Sequence, residues 1–188
     1  NSSMLLKVSG LRKAFPGVQA IKDGSLELIS GEIHALVGEN GAGKSTLIKI
    51  LTGVHAPDEG TVVLGGETRR FASPIEAHRA GIAAIYQEFT LIPALSIAAN
   101  LFLGRERTRL GAVQFRNEFD QANRVLARLG LALHPDTRVS SLSISEQQLV
   151  EIARALLVDA RILIMDEPTA ALTPREVVKL FGILRELS

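Results

Sequence analysis

An α/β fold with a mainly parallel sheet core is what this sequence predicts, on three observations. Apolar runs of strand length alternate with segments of helical period. Two of those runs, Ile33–Val37 and Ile162–Met165, are almost continuously apolar, as central parallel strands covered on both faces should be. A glycine-rich loop leads from the first of them straight into a helical pattern.

Six strands are expected: Leu5–Val8, Ser25–Leu28, Ile33–Val37, Thr61–Leu64, Ile82–Tyr86 and Arg161–Met165. Four helices are expected. Lys44–Leu51 follows the glycine loop. Asn117–Leu129 carries Phe119, Ala122, Val125, Leu126 and Leu129 on one face, and Glu146–Leu157 carries Leu149, Ile152, Ala153, Leu156 and Leu157. The last helix opens at Thr173-Pro174-Arg175-Glu176, where Thr173 can cap, Pro174 suits the first turn and Glu176 can complete a capping box. The stretch from about Phe89 to Asp159 shows helical patterns and no convincing strand. It reads as a helical insertion (89–159) between two parts of one α/β core (1–88 and 160–188). The chain stops after a helix, where a parallel sheet would continue into another strand, so it reads as C-terminally truncated. Asn1-Ser2-Ser3 precede Met4, which reads as the native start.

The 188 residues suffice for one domain with a proper core, and a composition of 46% hydrophobic and 22% charged is ordinary for a globular chain. With no Trp, the core must be largely aliphatic. A formal charge of +1 is not the footprint of a nucleic-acid binder. The absence of cysteine excludes a disulfide framework and a thiolate metal site. No apolar run approaches the roughly 18–20 residues of a membrane span, and no signal peptide is recognisable, so work at a membrane would require a partner.

The chemistry begins at Gly38-Glu39-Asn40-Gly41-Ala42-Gly43-Lys44-Ser45, a match to the phosphate-binding loop pattern. Glycines let successive backbone N–H groups turn inward, and these groups with the following helix N-terminus hold phosphate oxygens. Gly38, Asn40, Gly41, Ala42, Gly43, Lys44, Ser45 and Thr46 are therefore candidate nucleotide-binding residues. Lys44 reaches the terminal phosphates as a point charge, and the Ser45 hydroxyl suits Mg²⁺. The second signal is Ile162-Leu163-Ile164-Met165-Asp166-Glu167, an apolar strand delivering two carboxylates to the carboxyl edge of a sheet, where ligands of open α/β sheets bind. Asp166 is the candidate Mg²⁺ partner and Glu167 the candidate group that orients the attacking water. Alone, such a strand end usually just meets solvent; beside the phosphate loop it reads as catalytic.

Together these motifs resemble the ATPase domain of the ATP-binding cassette (ABC) family, a P-loop NTPase fold, over nearly the whole chain. The resemblance implies an antiparallel β part on the N-terminal side. It also implies a glutamine loop at Ile85-Tyr86-Gln87-Glu88, with Gln87 contacting Mg²⁺ or the attacking water, and an adenine-stacking aromatic at Phe15 in Lys13-Ala14-Phe15-Pro16-Gly17. Unaided, Gln87 reads as a surface residue and Phe15 as core. The family's signature, Leu-Ser-Gly-Gly-Gln, corresponds to Leu142-Ser143-Ile144-Ser145-Glu146. Ser143 is retained, but Ser145 replaces the second glycine and Glu146 the glutamine, so the signature is degenerate. A Cβ at Ser145 hinders close backbone approach, and Glu146 brings a carboxylate toward an anion. The change leaves intact the site formed by Lys44 and Glu167 and impairs the other site of a head-to-tail pair. Ala170-Ala171-Leu172-Thr173, Phe15-Pro16-Gly17-Val18, Gly31-Glu32-Ile33-His34-Ala35-Leu36 and Asn100-Leu101-Phe102-Leu103-Gly104-Arg105 resemble the N-terminal cassette of bacterial monosaccharide importers that carry two cassettes in one polypeptide. The family's switch histidine has no counterpart: His34, His55, His78 and His134 all precede the acidic pair.

The resemblance implies ATP and Mg²⁺ as ligands. Its implied partners are a second cassette, transmembrane permease subunits and, indirectly, a periplasmic sugar-binding protein; no nucleic acid is implied. It places the chain at the cytoplasmic face of the bacterial inner membrane, peripherally bound. Two other readings stay open: a regulatory cassette that hydrolyses little ATP, and a soluble ABC ATPase acting on nucleic acid or ribosomes.

Overall fold

The computed structural model describes residues 3–39, 41–86, 90–104, 108–109, 112–113, 115–157, 160–166 and 173–187. Asn40, Gln87 and Glu167 lie outside them, as do Ala170, Ala171 and Leu172. The chain divides into two compact units, one of Asn1–Ala83 with Leu180–Ser188 and the other of Ala84–Lys179.

The first unit is built on a four-stranded sheet of order β2-β1-β3-β4, with β1 at Met4–Phe15, β2 at Val18–Ile29, β3 at Glu59–Leu64 and β4 at Glu67–Arg69. Every pairing in it is antiparallel. Tight turns dictate that direction. Only Pro16 and Gly17 separate the paired residues Phe15 and Val18, and only Gly65 and Gly66 separate Leu64 and Glu67. Both glycines of the second turn have positive φ, 59° and 85°, the conformation a two-residue hairpin favours. Leu6, Val8 and Leu11 of β1 and Val62 and Leu64 of β3 are buried, so alternation along each strand sends one face into the core. Gly60 is required by close approach: a Cβ there would lie 2.6 Å from the Gly10 carbonyl oxygen. Helix α1, Lys44–Leu51, buries Ile48, Ile50 and Leu51. Helix α2, Pro74–Arg79, begins at Ser73, whose side chain accepts from the Glu76 N–H.

The expected central strand at Ile33–Val37 does not form. Residues 32–39 lie in no strand, and Ile33, Leu36 and Val37 are exposed, Val37 to 90%. An apolar run reports suitability for burial, whereas a strand exists only through a ladder partner. The four-stranded sheet is the antiparallel part expected on the N-terminal side, while the parallel core expected around Ile33–Val37 has no strand there among the described residues.

Strand β5, Ile82–Ile85, pairs with β8, Ile162–Met165, and the Asp166 N–H donates to the Ile85 carbonyl at 3.0 Å. Ile162 is buried and the rest of β8 is half-buried, less covered than its composition suggests.

The second unit is mostly helical. It contains α3 at Ile97–Phe102, α4 at Phe115–Arg128, α5 at Ile144–Leu156 and the start of α6, Pro174–Leu187. A two-residue ladder of β6, Thr108–Arg109, with β7, Ala112–Val113, interrupts a stretch expected to lack strands. Of the face expected here, Ala122, Val125 and Leu126 of α4 and Leu129 just beyond it are buried, while Phe119 is half-buried. On α5 the buried set includes Gln148, Val150, Glu151, Ile152 and Ala155. Fully buried Asn100 of α3 knots the preceding loop. Its Oδ1 accepts from the Ile92 N–H at 2.7 Å, and its Nδ2 donates to the Ile92 and Ser96 carbonyls, each at 3.0 Å. On α6, Leu180 and Ile183 are buried, while Phe181 is exposed.

Candidate functional site

The glycine-rich loop folds as its residue types demand. Gly41 and Gly43 adopt φ of 86° and 88°, a left-handed conformation that side-chain-bearing residues rarely take. Gly43 is the N-cap of α1, without a side-chain hydrogen bond, so the helix opens on bare backbone. Space as well as φ requires a glycine there, because a Cβ would sit 2.5 Å from the Ala20 carbonyl oxygen. The Ala42 N–H closes the loop on the Glu39 carbonyl at 3.1 Å, and the Leu47 N–H donates to Gly43 at 2.9 Å. Lys44 folds back over the loop, its Nζ donating to the Gly38 and Glu39 carbonyls at 2.5 and 2.9 Å. The ammonium is thus placed over the loop, at the N-terminus of an eight-residue helix. Ser45 is exposed, and Thr46 is half-buried one residue further on.

Phe15 ends β1 and is 37% exposed. His55 meets that ring edge-on at 5.2 Å between centroids, and the Lys13 ammonium lies over it at 5.6 Å. Asp58 holds Lys13: its Oδ1 accepts from Nζ at 2.8 Å, while Oδ2 accepts the Ala14 N–H at 2.8 Å. The bond from Lys13, with help from the Ala14 N–H, keeps the Asp58 carboxyl below its ordinary range. The loop and this aromatic cluster belong to the first unit.

In the second unit Asp166 stands at the end of β8, half-buried. Ser143 caps α5 through a complete capping box with Glu146. The Ser143 N–H and hydroxyl both donate to Glu146 Oε2 at 2.8 Å, and the Ser143 oxygen accepts the Glu146 N–H at 3.3 Å. Ser145 adds a contact at 3.1 Å between the two hydroxyls. The Glu146 carboxylate is therefore folded onto Ser143, and the single hydroxyl proton of Ser143 is engaged within its own loop.

Sequence reasoning passed over several residues that shape these regions. Lys13, His55 and Asp58 frame Phe15; the turn-like Pro57-Asp58-Glu59-Gly60 was the available signal. Glu151, 3% exposed, accepts from the Thr90 N–H at 2.7 Å and from its hydroxyl at 2.8 Å. Arg154 donates to the same hydroxyl and pairs with Glu151 at 3.8 Å. The signal was a carboxylate falling on the apolar face of a helix. Among the described residues no group of three or more His, Cys, Asp or Glu side chains could hold a metal ion.

A glycine loop of left-handed residues opening a helix, in a chain of this fold, defines the class: a P-loop nucleotide-binding protein. Residues 21–170 match the family described as ABC transporter. The chain belongs to that family. It is 54% identical over 187 residues to the ribose import ATP-binding protein RbsA 1 of Streptomyces coelicolor, covering 99% of this chain and 37% of that protein. It is 53% identical over 184 residues to the ribose import ATP-binding protein RbsA 2 of Burkholderia cenocepacia, covering 97% of this chain and 36% of that one. The chain thus spans little more than a third of the length of these curated relatives. Among solved structures, the ADP conformation of an ATP-binding cassette of an ABC transporter superposes with a TM-score of 0.85 at 27% identity, over 99% of this chain and 77% of that one. A dimeric post-hydrolysis state of an ATP-binding cassette bound to ADP and Pi superposes with a TM-score of 0.82 at 27% identity, over 97% and 82%.

Proposed function

We propose that this chain is the ATP-binding cassette of a sugar importer, and that in the whole protein it binds and hydrolyses MgATP to drive uptake of ribose or a related monosaccharide. The observation that carries the reading is the loop of residues 38–46, with Lys44 poised over backbone that only glycine can adopt at Gly43. Identity above 50% to ribose import ATP-binding proteins supports the sugar class.

In this reading the N–H groups of 41–46 cradle the phosphates, and Lys44 exchanges its carbonyl partners for phosphate oxygens. Phe15 stacks on the adenine. Ser45 and Asp166 offer hard oxygen donors, and Gln87 a third. Mg²⁺ characteristically takes one or two such ligands together with substrate phosphates. When bound, the ion neutralises charge on the phosphates. Glu167 orients the attacking water. The partners are a second cassette and transmembrane permease subunits, with a periplasmic sugar-binding protein acting through them. In this reading the chain sits peripherally at the cytoplasmic face of the membrane; no helix among the described residues is long and apolar enough to cross it.

A second reading concerns the paired site. The engagement of Ser143 by Glu146 favours a signature loop that serves helix α5 rather than a partner's γ-phosphate. The opposite site would then bind ATP and hydrolyse it little.

ATP turnover by the full-length protein, with and without its permease subunits, tests both readings. Stimulation by the permease together with loss in Lys44→Ala and Glu167→Gln is the expected outcome. Turnover indifferent to Glu167→Gln would assign the working site to the other cassette.

A further inference from the structure

The cluster around Phe15 is more ordered than an exposed strand end requires. Two separate contacts converge on one ring, and a third residue fixes one of them. Asp58 fixes Lys13 by a 2.8 Å ion pair and fixes the strand itself through the Ala14 N–H. The Asp58 N–H donates in turn to the Arg12 carbonyl at 3.0 Å, so the 58 turn is zipped to residues 12–14. Lys13 then lies over the ring, a cation–π contact. His55 supplies an edge contact from another direction. Its own main chain is tied to α1, because its N–H donates to the Lys49 carbonyl at 3.1 Å. The ring is therefore referenced to the C-terminal end of the helix whose N-terminus forms the phosphate loop.

We propose that Asp58 and His55 are positioning residues for the nucleotide base, holding Phe15 so that its open face is presented as a stacking platform of set orientation. The inference rests on the reading of Phe15 as the adenine platform and goes further in naming what orients it. An aromatic ring free to turn about χ1 would lose part of the stacking energy on being ordered; one already fixed by two neighbours does not.

The test separates the base from the phosphates. Binding of MgATP and of magnesium tripolyphosphate, which has no base, is measured by calorimetry on the full-length protein and on its Phe15→Ala, Asp58→Asn, His55→Ala and His55→Phe variants. Stacking of a base on an aromatic ring predicts a loss of about tenfold or more in MgATP affinity for Phe15→Ala. Asp58→Asn and His55→Ala should each lower it by about threefold, a part of the stacking contribution. Tripolyphosphate affinity should hold in all of them, and His55→Phe, which keeps a ring at the edge, should recover MgATP affinity. If Phe15→Ala weakens MgATP while Asp58→Asn and His55→Ala do not, the positioning role is overturned and the platform stands. An equal loss for both ligands in those two variants also overturns it, since that is the mark of a general structural defect. If Phe15→Ala has no effect, or the full-length protein binds no MgATP, the platform reading falls and the inference with it.

Discussion

The carboxylate of Glu151 accepts both the backbone N–H and the hydroxyl of Thr90, joining residues 61 positions apart in a part-buried contact. Arg154 completes the group from the next turn of α5, so charge, hydroxyl and amide satisfy one another. Removing the carboxylate leaves a part-buried amide and a cation without their partner. Glu151→Ala is expected to cost about 3 kcal/mol. For a chain of this size that lowers the melting temperature by about 6–12 °C. Glu151→Gln, which keeps an acceptor, should lose clearly less. Urea denaturation of the three proteins decides it; equal stability of wild type and Glu151→Ala would show that the cluster contributes nothing net.

Ser143 and Glu146 form a reciprocal cap, and the two partners make different predictions. Ser143→Ala removes the acceptor for the Glu146 N–H and should cost about 1 kcal/mol, or roughly 2–4 °C in melting temperature. Glu146→Gln retains a side-chain acceptor for the Ser143 N–H and should be nearly neutral, since glutamine serves in the same box. Thermal melts followed by circular dichroism at 222 nm would separate the two. A Glu146→Gln protein as unstable as Ser143→Ala would mean that the charge, not the cap, stabilises the start of α5.

What could be read in advance divides along physical lines. Helix α1 runs over the residues expected, Lys44–Leu51, because a glycine stop and an apolar period are both local signals. α2 and α3 escaped notice because six residues hold too little periodicity to register. β1 and β2 extend well beyond Leu5–Val8 and Ser25–Leu28, since their outer halves are polar and are defined by pairing across a hairpin. Ile33–Val37 failed in the opposite sense, apolar enough for a strand but without a ladder partner among the described residues. Of the candidate site, the phosphate loop was legible because its spacing is itself the chemistry. Lys13, His55 and Asp58 were not, because their relation to Phe15 exists only once β1 and β3 lie side by side.

Gly41 and Gly43 share a left-handed φ but differ in surroundings, which makes them a matched pair. At Gly41 nothing lies within 4 Å of an added Cβ; at Gly43 the Ala20 carbonyl oxygen lies 2.5 Å away. Gly41→Ala should therefore incur only the backbone penalty, about 1–2 kcal/mol. Gly43→Ala adds a clash with backbone that cannot rotate aside and should cost about 3 kcal/mol in all. It should also displace the N-terminus of α1 and abolish MgATP binding. Urea midpoints and calorimetry on both variants provide the check, and equal losses would show that the loop shifts freely away from Ala20.

Asp58 supplies a pH prediction whose sign is fixed by its partners. Its folded pKa lies below the ordinary value of 3.8, first through the Lys13 bond and then through the Ala14 N–H. A depressed carboxyl pKa means that the unfolded chain binds the proton more readily than the folded one. The stabilisation is therefore fully present above the unfolded value and disappears as pH falls through the folded one. Wild type should melt above Asp58→Asn at pH 7, and the gap should close progressively below about pH 3.8. Because the carboxylate is exposed, added salt at neutral pH should narrow the same gap. Melting curves of both proteins between pH 7 and pH 2, at low and high salt, test this. A gap that persists unchanged in acid would assign the effect of the substitution to the turn's packing and not to the charge on Asp58.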